Sequence, residues 1–109
     1  MAVLPLELPI AIEAAALERF CEKWKIVRLE VFGSVLRDDF RPDSDIDFLA
    51  TYAQDAHRSL FDLVDLRDEL SLMLGRKVDI VSRVGIERSR NWIRQGDILR
   101  TAVPIYVAG

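Results

Sequence analysis

The residues of this chain best suited to chemistry are two aspartates, Asp45 and Asp47, at the start of a predicted strand, 45–52. Side chains two positions apart on a strand share a face. At a separation of ~4 Å and an effective dielectric of about 20, two carboxylates repel by roughly 4 kcal/mol, which is large beside the about 5–15 kcal/mol that stabilises a domain. A cation between them would relieve this repulsion, and an oxygen-only ligand set favours Mg²⁺ or Mn²⁺ over zinc. If both side chains are instead solvated at the strand end, the repulsion falls to about 1 kcal/mol or less and no cation is needed.

A glycine turn precedes these acids. Gly33 and Ser34 end the previous predicted strand, 26–32, so that backbone amides and a hydroxyl face the paired carboxylates across a short loop. This arrangement suits a metal-bound polyphosphate.

A third acid, Asp79, lies in another predicted strand, 77–82, on the face that also carries Lys77 and Val81. Alone, such a residue is more often an edge residue or a salt-bridge partner. As the third acid after Asp45 and Asp47, we predict that it is a buried-strand carboxylate that acts as a metal ligand or a base.

Two other motifs fail when they are checked residue by residue. An EF-hand loop that opened at Asp43 would need Gly and Glu at its sixth and twelfth positions, where this chain has Phe48 and Gln54. A P-loop needs a Gly-Lys-Ser/Thr sequence, and the turn at Gly33 has no such lysine.

The composition is that of an ordinary globular chain. In 109 residues, 50% are hydrophobic, 30% are charged and the formal net charge is −3, which predicts a single domain over 1–109 and gives no basic face for direct nucleic-acid binding. The single cysteine, Cys21, excludes an internal disulfide and is predicted to be a small apolar residue of the first helix. The N-terminal residues lack the basic start of a signal peptide, and no apolar run reaches membrane-spanning length. We therefore expect a cytoplasmic protein with no membrane association.

Hydrophobic periodicity predicts two helices, one before the first strand and one between the second and third strands. The first covers 10–24, and the second covers 59–74 with a capping box from Ser59 to Asp62 and a C-cap at Gly75. The predicted core stripe of the second helix consists of Leu63, Leu66, Leu70 and Met73.

The C-terminal quarter is predicted to be helical over 86–103, in two parts joined at Gly96, and to close over 104–108 as a short strand or a docked tail. Trp92 is predicted to pack in the core, and an exposed Trp92 would instead be an anchor for a partner.

Three further residues carry smaller predictions. Arg28 and Glu30 share one face of their strand, which should therefore be partly wet, and His57 is expected to be a solvated loop residue.

Taken together, these motifs closely resemble the minimal nucleotidyltransferases of the polymerase-β-like superfamily. The likeness rests on Gly-Ser-x-x-Arg at 33–37, Ser-Asp-x-Asp at 44–47 and a third acid at Asp79 on a neighbouring strand. One position departs from the family pattern, because Leu36 stands where the family usually has a small residue before Arg37. The resemblance implies an α/β (α+β) fold with a small mixed sheet and helices packed on it.

The resemblance also implies roles for these residues. Asp45 and Asp47 would bind two Mg²⁺ ions (Mn²⁺ is an acceptable substitute) that carry ATP, and Asp79 would hold the catalytic ion and help to deprotonate the acceptor. Gly33 and Ser34 would contact the β- and γ-phosphates, and Arg37 would add a contact to phosphate.

Family members of this length often accompany a helical HEPN protein, a toxin with ribonuclease activity that they adenylylate on tyrosine. The expected function is therefore transfer of AMP to a hydroxyl of a HEPN partner by an antitoxin. Two alternatives stay open, namely a catalytically silent antitoxin that neutralises its partner by contact, and a small-molecule nucleotidyltransferase that acts on an aminoglycoside-type hydroxyl. Self-association into a homo-oligomer is also left open.

Overall fold

The fold is taken from a computed structural model that describes residues 1–3, 8, 10–37, 40–41, 43–56, 59–88 and 92–108, without the side chains of 92–94. The residues described form four helices and four strands. In chain order they are α1 (Ala14–Lys23), β1 (Ile26–Phe32), β2 (Ile46–Tyr52), α2 (Leu60–Leu74), β3 (Val78–Ser82), α3 (Arg83–Glu87), α4 (Trp92–Thr101) and β4 (Val103–Val107), with a 3₁₀ turn at Gly33–Leu36.

The four strands form one mixed sheet in the order β3-β2-β1-β4. β1 pairs with β2 and with β4 in antiparallel fashion, whereas β2 and β3 are parallel. A parallel pair needs a crossover between its strands, and α2 supplies it. This crossover brings the start of β3 next to the start of β2, where the sequence has its acids.

The larger core lies on the sheet face that α1 and α2 cover. Fully buried side chains there include Leu17 of α1, Leu29 of β1, Phe48 of β2 and Leu70 of α2. Cys21 is buried in the same cluster, as predicted. Burial raises the pKa of the Cys21 thiol to about 12, so this cysteine is an inert core residue.

The opposite face of the sheet carries a smaller core under the C-terminal helices. Phe32, Leu49 and Ile98 form its buried centre, and Val81 packs against them. Because side chains alternate along a strand, Asp47 and Asp79 share this face with Leu49 and Val81, which follow them by two positions.

Local sequence signals placed several boundaries correctly. The Ser59 hydroxyl accepts a hydrogen bond from the Asp62 backbone amide, and the Asp62 carboxylate accepts one from the Ser59 backbone amide. These two bonds confirm the capping box of α2. Gly75 ends the helix with φ +68°, the left-handed conformation that suits glycine. The closing segment is a strand, β4.

Other predicted boundaries were wrong. The first helix begins at Ala14 rather than at Ile10, because Ile10 and Ile12 pack against the large core from non-helical backbone that precedes α1. Gly96 lies inside α4 and is not a joint, and the helical segment stops at Thr101, where β4 follows.

Some predicted environments were also wrong. Leu63 is 42% exposed, because α2 turns its buried side towards the sheet at Leu66 and Leu70. The face that Arg28 and Glu30 share is exposed at Arg28, as predicted, but Glu30 is only 2% exposed, because Arg83 of α3 reaches across the sheet to cover it.

Two predictions concern positions that lie outside the described residues: the environment of His57 and the packing of the Trp92 side chain. Among the helices that the structure does describe, none is long and apolar enough to cross a membrane.

Candidate active site

Asp47 and Asp79 are direct neighbours in the sheet. They are paired in register between the parallel strands β2 and β3, which lie about 4.8 Å apart, and paired residues of adjacent strands project from the same face. Asp45 directly precedes β2. All three aspartates line one cleft of about 420 Å³, so the structure brings together the acids that the sequence singled out.

The three acids differ in exposure. Asp47 is partly buried, whereas Asp45 and Asp79 are exposed. The prediction that Asp79 is a buried-strand carboxylate was therefore wrong, because β3 is the edge strand of the sheet and no strand among the residues described covers its outer side. An exposed carboxylate that faces an open cleft is accessible to a ligand.

Gly33 is the residue that lets the turn approach Asp47. Its φ is +77°, and a Cβ built on it would lie 2.5 Å from the Asp47 carboxylate oxygen Oδ2. Residues with a Cβ rarely adopt this backbone conformation. Glycine is therefore required at position 33 for two reasons: the turn needs a positive φ, and the Asp47 carboxylate occupies the space that a Cβ would fill.

Ser34 connects the turn to the start of β2. Its hydroxyl donates a hydrogen bond of 3.3 Å to the backbone carbonyl oxygen of Asp45. The turn and the acid strand are thus joined by a side chain as well as by the pairing of Phe32 with Asp47 in the sheet. In this arrangement, Ser34 fixes the position of Asp45.

Arg37 lines a different cleft from the one that the three aspartates line. Its exposed side chain lines a second cleft, of about 610 Å³, which it shares with Gly33, Leu36 and three residues of the C-terminal segment: Asp97, Thr101 and Val103. Gly33 lines the Arg37 cleft, and its turn also approaches Asp47, which lines the acid cleft. The glycine turn is therefore adjacent to residues of both clefts.

The acid cleft also contains two cations that the sequence analysis did not select. Arg67 of α2 and Lys77, which immediately precedes β3, both line it. Arg67 lies 3.7 Å from its neighbour Asp68 and keeps a half-exposed guanidinium. Lys77 precedes Asp79 by two positions on the same strand face, which is the signal that could have identified it. Arg67 could not be identified in this way, because its placement depends on the packing of α2 beside β3.

The chemistry of the site fits a divalent cation bound together with phosphate. Among the residues described, no group of three or more Asp, Glu, His or Cys side chains is gathered closely enough to hold a metal by itself. Mg²⁺ is commonly bound by one or two carboxylates, with water and substrate phosphates completing its octahedron. The Asp47–Asp79 pair, with Asp45 beside it, meets that requirement.

The sequence profile of the family described as "Nucleotidyltransferase domain" matches residues 14–102, from the first residue of α1 to the residue before β4. The chain belongs to the nucleotidyltransferase domain family. The match includes both strands that carry the acids and the glycine turn that precedes the first of them.

Two curated relatives of this nucleotidyltransferase domain carry the name protein adenylyltransferase. The MntA protein of Thermococcus cleftensis is 31% identical over 87 residues, which are 80% of this chain and 86% of the relative. A Methanocaldococcus jannaschii protein, provisionally named in the same way, is 38% identical over 65 residues. That match covers 60% of this chain and 64% of the relative, so the chain spans less than two thirds of its length.

Solved structures show the same fold. One described as a minimal nucleotidyltransferase superposes with a TM-score of 0.65 at 36% identity and covers 84% of this chain and 88% of its own. A toxin–antitoxin structure with AMP-PNP superposes with a TM-score of 0.66 and covers 89% of this chain and 75% of its own. At 16% identity, the second likeness concerns the fold alone.

Among the residues that the structure describes, one carboxylate is buried, that of Glu30 on β1. Glu30 accepts a hydrogen bond of 2.7 Å from Arg83 and one of 3.3 Å from Arg28. Arg83 also donates to Glu87, at 3.0 Å. Since Arg83 directly follows β3 and Glu30 lies on β1, the Arg83–Glu30 contact links the far end of the Asp79 strand to β1 across the intervening strand β2.

Proposed function

We propose that this nucleotidyltransferase domain transfers AMP from ATP to a hydroxyl group of a partner protein in a Mg²⁺-dependent reaction. We further propose that the partner is a HEPN-type toxin and that the transfer neutralises it, so that this chain acts as an antitoxin. ATP is a cytoplasmic donor, and we place the reaction in the cytoplasm.

The in-register pairing of Asp47 with Asp79 is the observation that supports this proposal most strongly. It gives two carboxylates on one face of the sheet, at one cleft, next to a glycine turn with positive φ. Neither an EF-hand nor a P-loop explains this combination. A site that binds cations and phosphate together does explain it.

The acids and the turn take different roles in the proposal. Asp45, Asp47 and Asp79 would hold two Mg²⁺ ions, with Mn²⁺ as a substitute. Bound there, divalent cations would neutralise phosphate charge and orient the triphosphate for in-line displacement. Gly33 would present its backbone amide to the β- and γ-phosphates.

The remaining polar residues of the two clefts would complete phosphate binding. The Ser34 hydroxyl has one proton to donate, and it would turn from the Asp45 carbonyl to a phosphate oxygen when the triphosphate binds. Arg67 and Lys77 line the acid cleft and would offset the negative charge that the triphosphate adds. Arg37, at the neighbouring cleft, would make a charge-assisted contact to phosphate.

The proposed reaction forms one bond and breaks one bond at the α-phosphorus. The acceptor oxygen attacks this phosphorus, its proton passes to the Asp79 carboxylate, and pyrophosphate leaves with the electrons of the broken P–O bond. Asp79 suits the role of base because it is exposed at the edge of the sheet, where an acceptor can approach.

The names of the relatives support the choice of acceptor. Two are named protein adenylyltransferases, and structural neighbours include MntA–HepT toxin–antitoxin pairs. A protein hydroxyl is therefore a better candidate acceptor than the hydroxyl of an aminoglycoside.

Transfer of labelled AMP tests this proposal. The purified chain is incubated with ATP labelled at the α-phosphorus, Mg²⁺ and the protein encoded by the neighbouring gene, which we propose to be of HEPN type. We expect label on that protein, loss of labelling in Asp47→Asn and Asp79→Asn, and loss of labelling when EDTA removes the metal. Asp55→Asn is the matched control, because Asp55 is exposed outside the acid cleft and pairs with Lys25 at 3.2 Å.

Two outcomes would contradict the proposal. Undiminished labelling by both cleft variants would exclude these acids as the catalytic groups. Neutralisation of the toxin by Asp47→Asn, without labelling, would instead favour an antitoxin that acts by contact.

A further inference from the structure

The first two turns of α2 expose an unusual amount of apolar surface. Leu60 is 75% exposed and Phe61 is 81% exposed, and they are accompanied by Leu63 at 42% and Val64 at 39%. We call these four residues the α2 patch. Isolated exposed apolar residues are ordinary on protein surfaces, whereas a contiguous patch of large ones marks an interaction site.

The α2 patch is continuous with the acid cleft. With 3.6 residues per turn, Leu60, Val64, Arg67 and Ser71 follow one another along one side of the helix. The last two line the acid cleft. Val64 and Arg67 are three residues apart, which is a rise of about 4.5 Å along the helix axis. A protein surface seated on the patch would therefore reach the cleft directly.

The charges around the α2 patch indicate the character of its partner. Asp65 and Asp68 are exposed beside it, and Asp62 lies at the helix N-terminus. The nearest cation on the helix, Arg67, lies 3.7 Å from Asp68. On α2 itself, the charges beside the patch are therefore mostly acidic, and a surface complementary to them has an apolar centre with lysine or arginine around it.

We infer that the α2 patch is the docking surface for the protein that accepts the nucleotide. The partner docks an apolar surface with a basic rim on Leu60, Phe61 and Val64, and its acceptor hydroxyl enters the acid cleft past Arg67. This inference rests on the proposed function and adds to it the place where the acceptor is held. Binding and chemistry are then carried by separate groups of residues.

Substitutions in the α2 patch test this inference against a matched control on the same helix. Leu60→Ser/Val64→Ser removes apolar contacts from the patch, and both side chains are exposed enough to leave the core unchanged. Leu72→Ser is the control, because Leu72 is 85% exposed but lies near the C-terminal end of α2, away from the patch, where it lines a groove against α1. Asp65→Lys tests the acidic charges beside the patch.

The assay measures kcat and KM for the HEPN-type protein, with ATP saturating, and measures binding separately by calorimetry with the Asp47→Asn enzyme. We expect the double variant to raise KM and the dissociation constant at least tenfold while kcat stays unchanged. Asp65→Lys should act in the same direction, added salt should raise the wild-type KM, and Leu72→Ser should match the wild type.

The outcomes separate this inference from the proposed function. If the wild-type enzyme labels the partner and the double variant has the same KM as Leu72→Ser, the α2 patch is not the docking surface, and the proposed function still holds. A wild-type enzyme that labels no partner overturns both. Loss of self-association in the double variant, without a change in KM, would assign the α2 patch to a second copy of this chain and overturn the inference.

Discussion

Replacing Gly33 by alanine tests how closely the turn is fitted to the Asp47 carboxylate. The new Cβ would lie 2.5 Å from Asp47 Oδ2, which is 0.9 Å inside the 3.4 Å at which ordinary contact begins. A non-glycine residue at φ +77° also costs roughly 1–2 kcal/mol. The turn, the carboxylate or both must therefore move by most of an ångström.

We expect two measurable effects of Gly33→Ala. The melting temperature should fall by roughly 5–15 °C, since 1 kcal/mol corresponds to about 4–8 °C in a domain of this size. AMP transfer should fall by about 100-fold, because a misplacement of about 1 Å at a reacting centre has an effect of that order. Thermal unfolding and the labelling assay measure the two effects separately.

Gly75→Ala is the matched control for this experiment. Gly75 has a similar φ of +68°, but no atom lies within 4 Å of its added Cβ. The Gly75→Ala variant should therefore lose stability, as Gly33→Ala does, but its rate of AMP transfer should stay unchanged. Full activity in Gly33→Ala, or an equal loss of activity in both variants, would refute the reasoning about Asp47.

Three further substitutions test the physical account of the fold. Glu30→Ala removes the 2.7 Å partner of Arg83 from a buried position and should lower the free energy of unfolding by about 2–4 kcal/mol in urea titrations; a loss of less than about 0.5 kcal/mol would show that the pair is not stabilising. Gly96→Ala should raise that free energy by about 0.5–1 kcal/mol, because Gly96 lies inside α4 and an added Cβ meets no atom within 4 Å. Hydrogen bonding from Lys23 lowers the pKa of Glu69 below its ordinary 4.5. The stability that the Glu69 carboxylate contributes is therefore present above pH 4.5 and is lost as the pH falls through the lowered folded-state value. Urea midpoints of Glu69→Gln and the wild type should accordingly differ at neutral pH and converge in acid, and a difference that persists in acid would contradict this assignment.

The acids and the glycine turn could be predicted because their signals are local. Alternation along a strand predicted that Asp45 and Asp47 lie on one side, and both line the acid cleft, although Asp45 directly precedes β2 and is not part of it. The need for a tight turn selected Gly33. The capping box of α2 was predictable for the same reason, since its donors and acceptors lie within four residues of one another.

What the sequence could not predict depends on residues distant along the chain. The burial of Glu30 requires Arg83, which is 53 positions away. The exposure of Asp79 follows from the position of β3 at the sheet edge, and the entry of Arg67 into the acid cleft follows from the packing of α2 beside β3. Periodicity also predicted wrongly that Leu63 is buried. The periodic pattern identifies an apolar stripe on the helix, but it does not show how much of that stripe the sheet covers.

The most direct test of the central claim is a crystal structure of this chain with Mg²⁺ and a non-hydrolysable ATP analogue. We predict a cation about 2.0–2.1 Å from carboxylate oxygens of both Asp47 and Asp79, with the triphosphate against the backbone of Gly33. A triphosphate bound elsewhere, or bound at this cleft with no cation on either aspartate, would contradict the account.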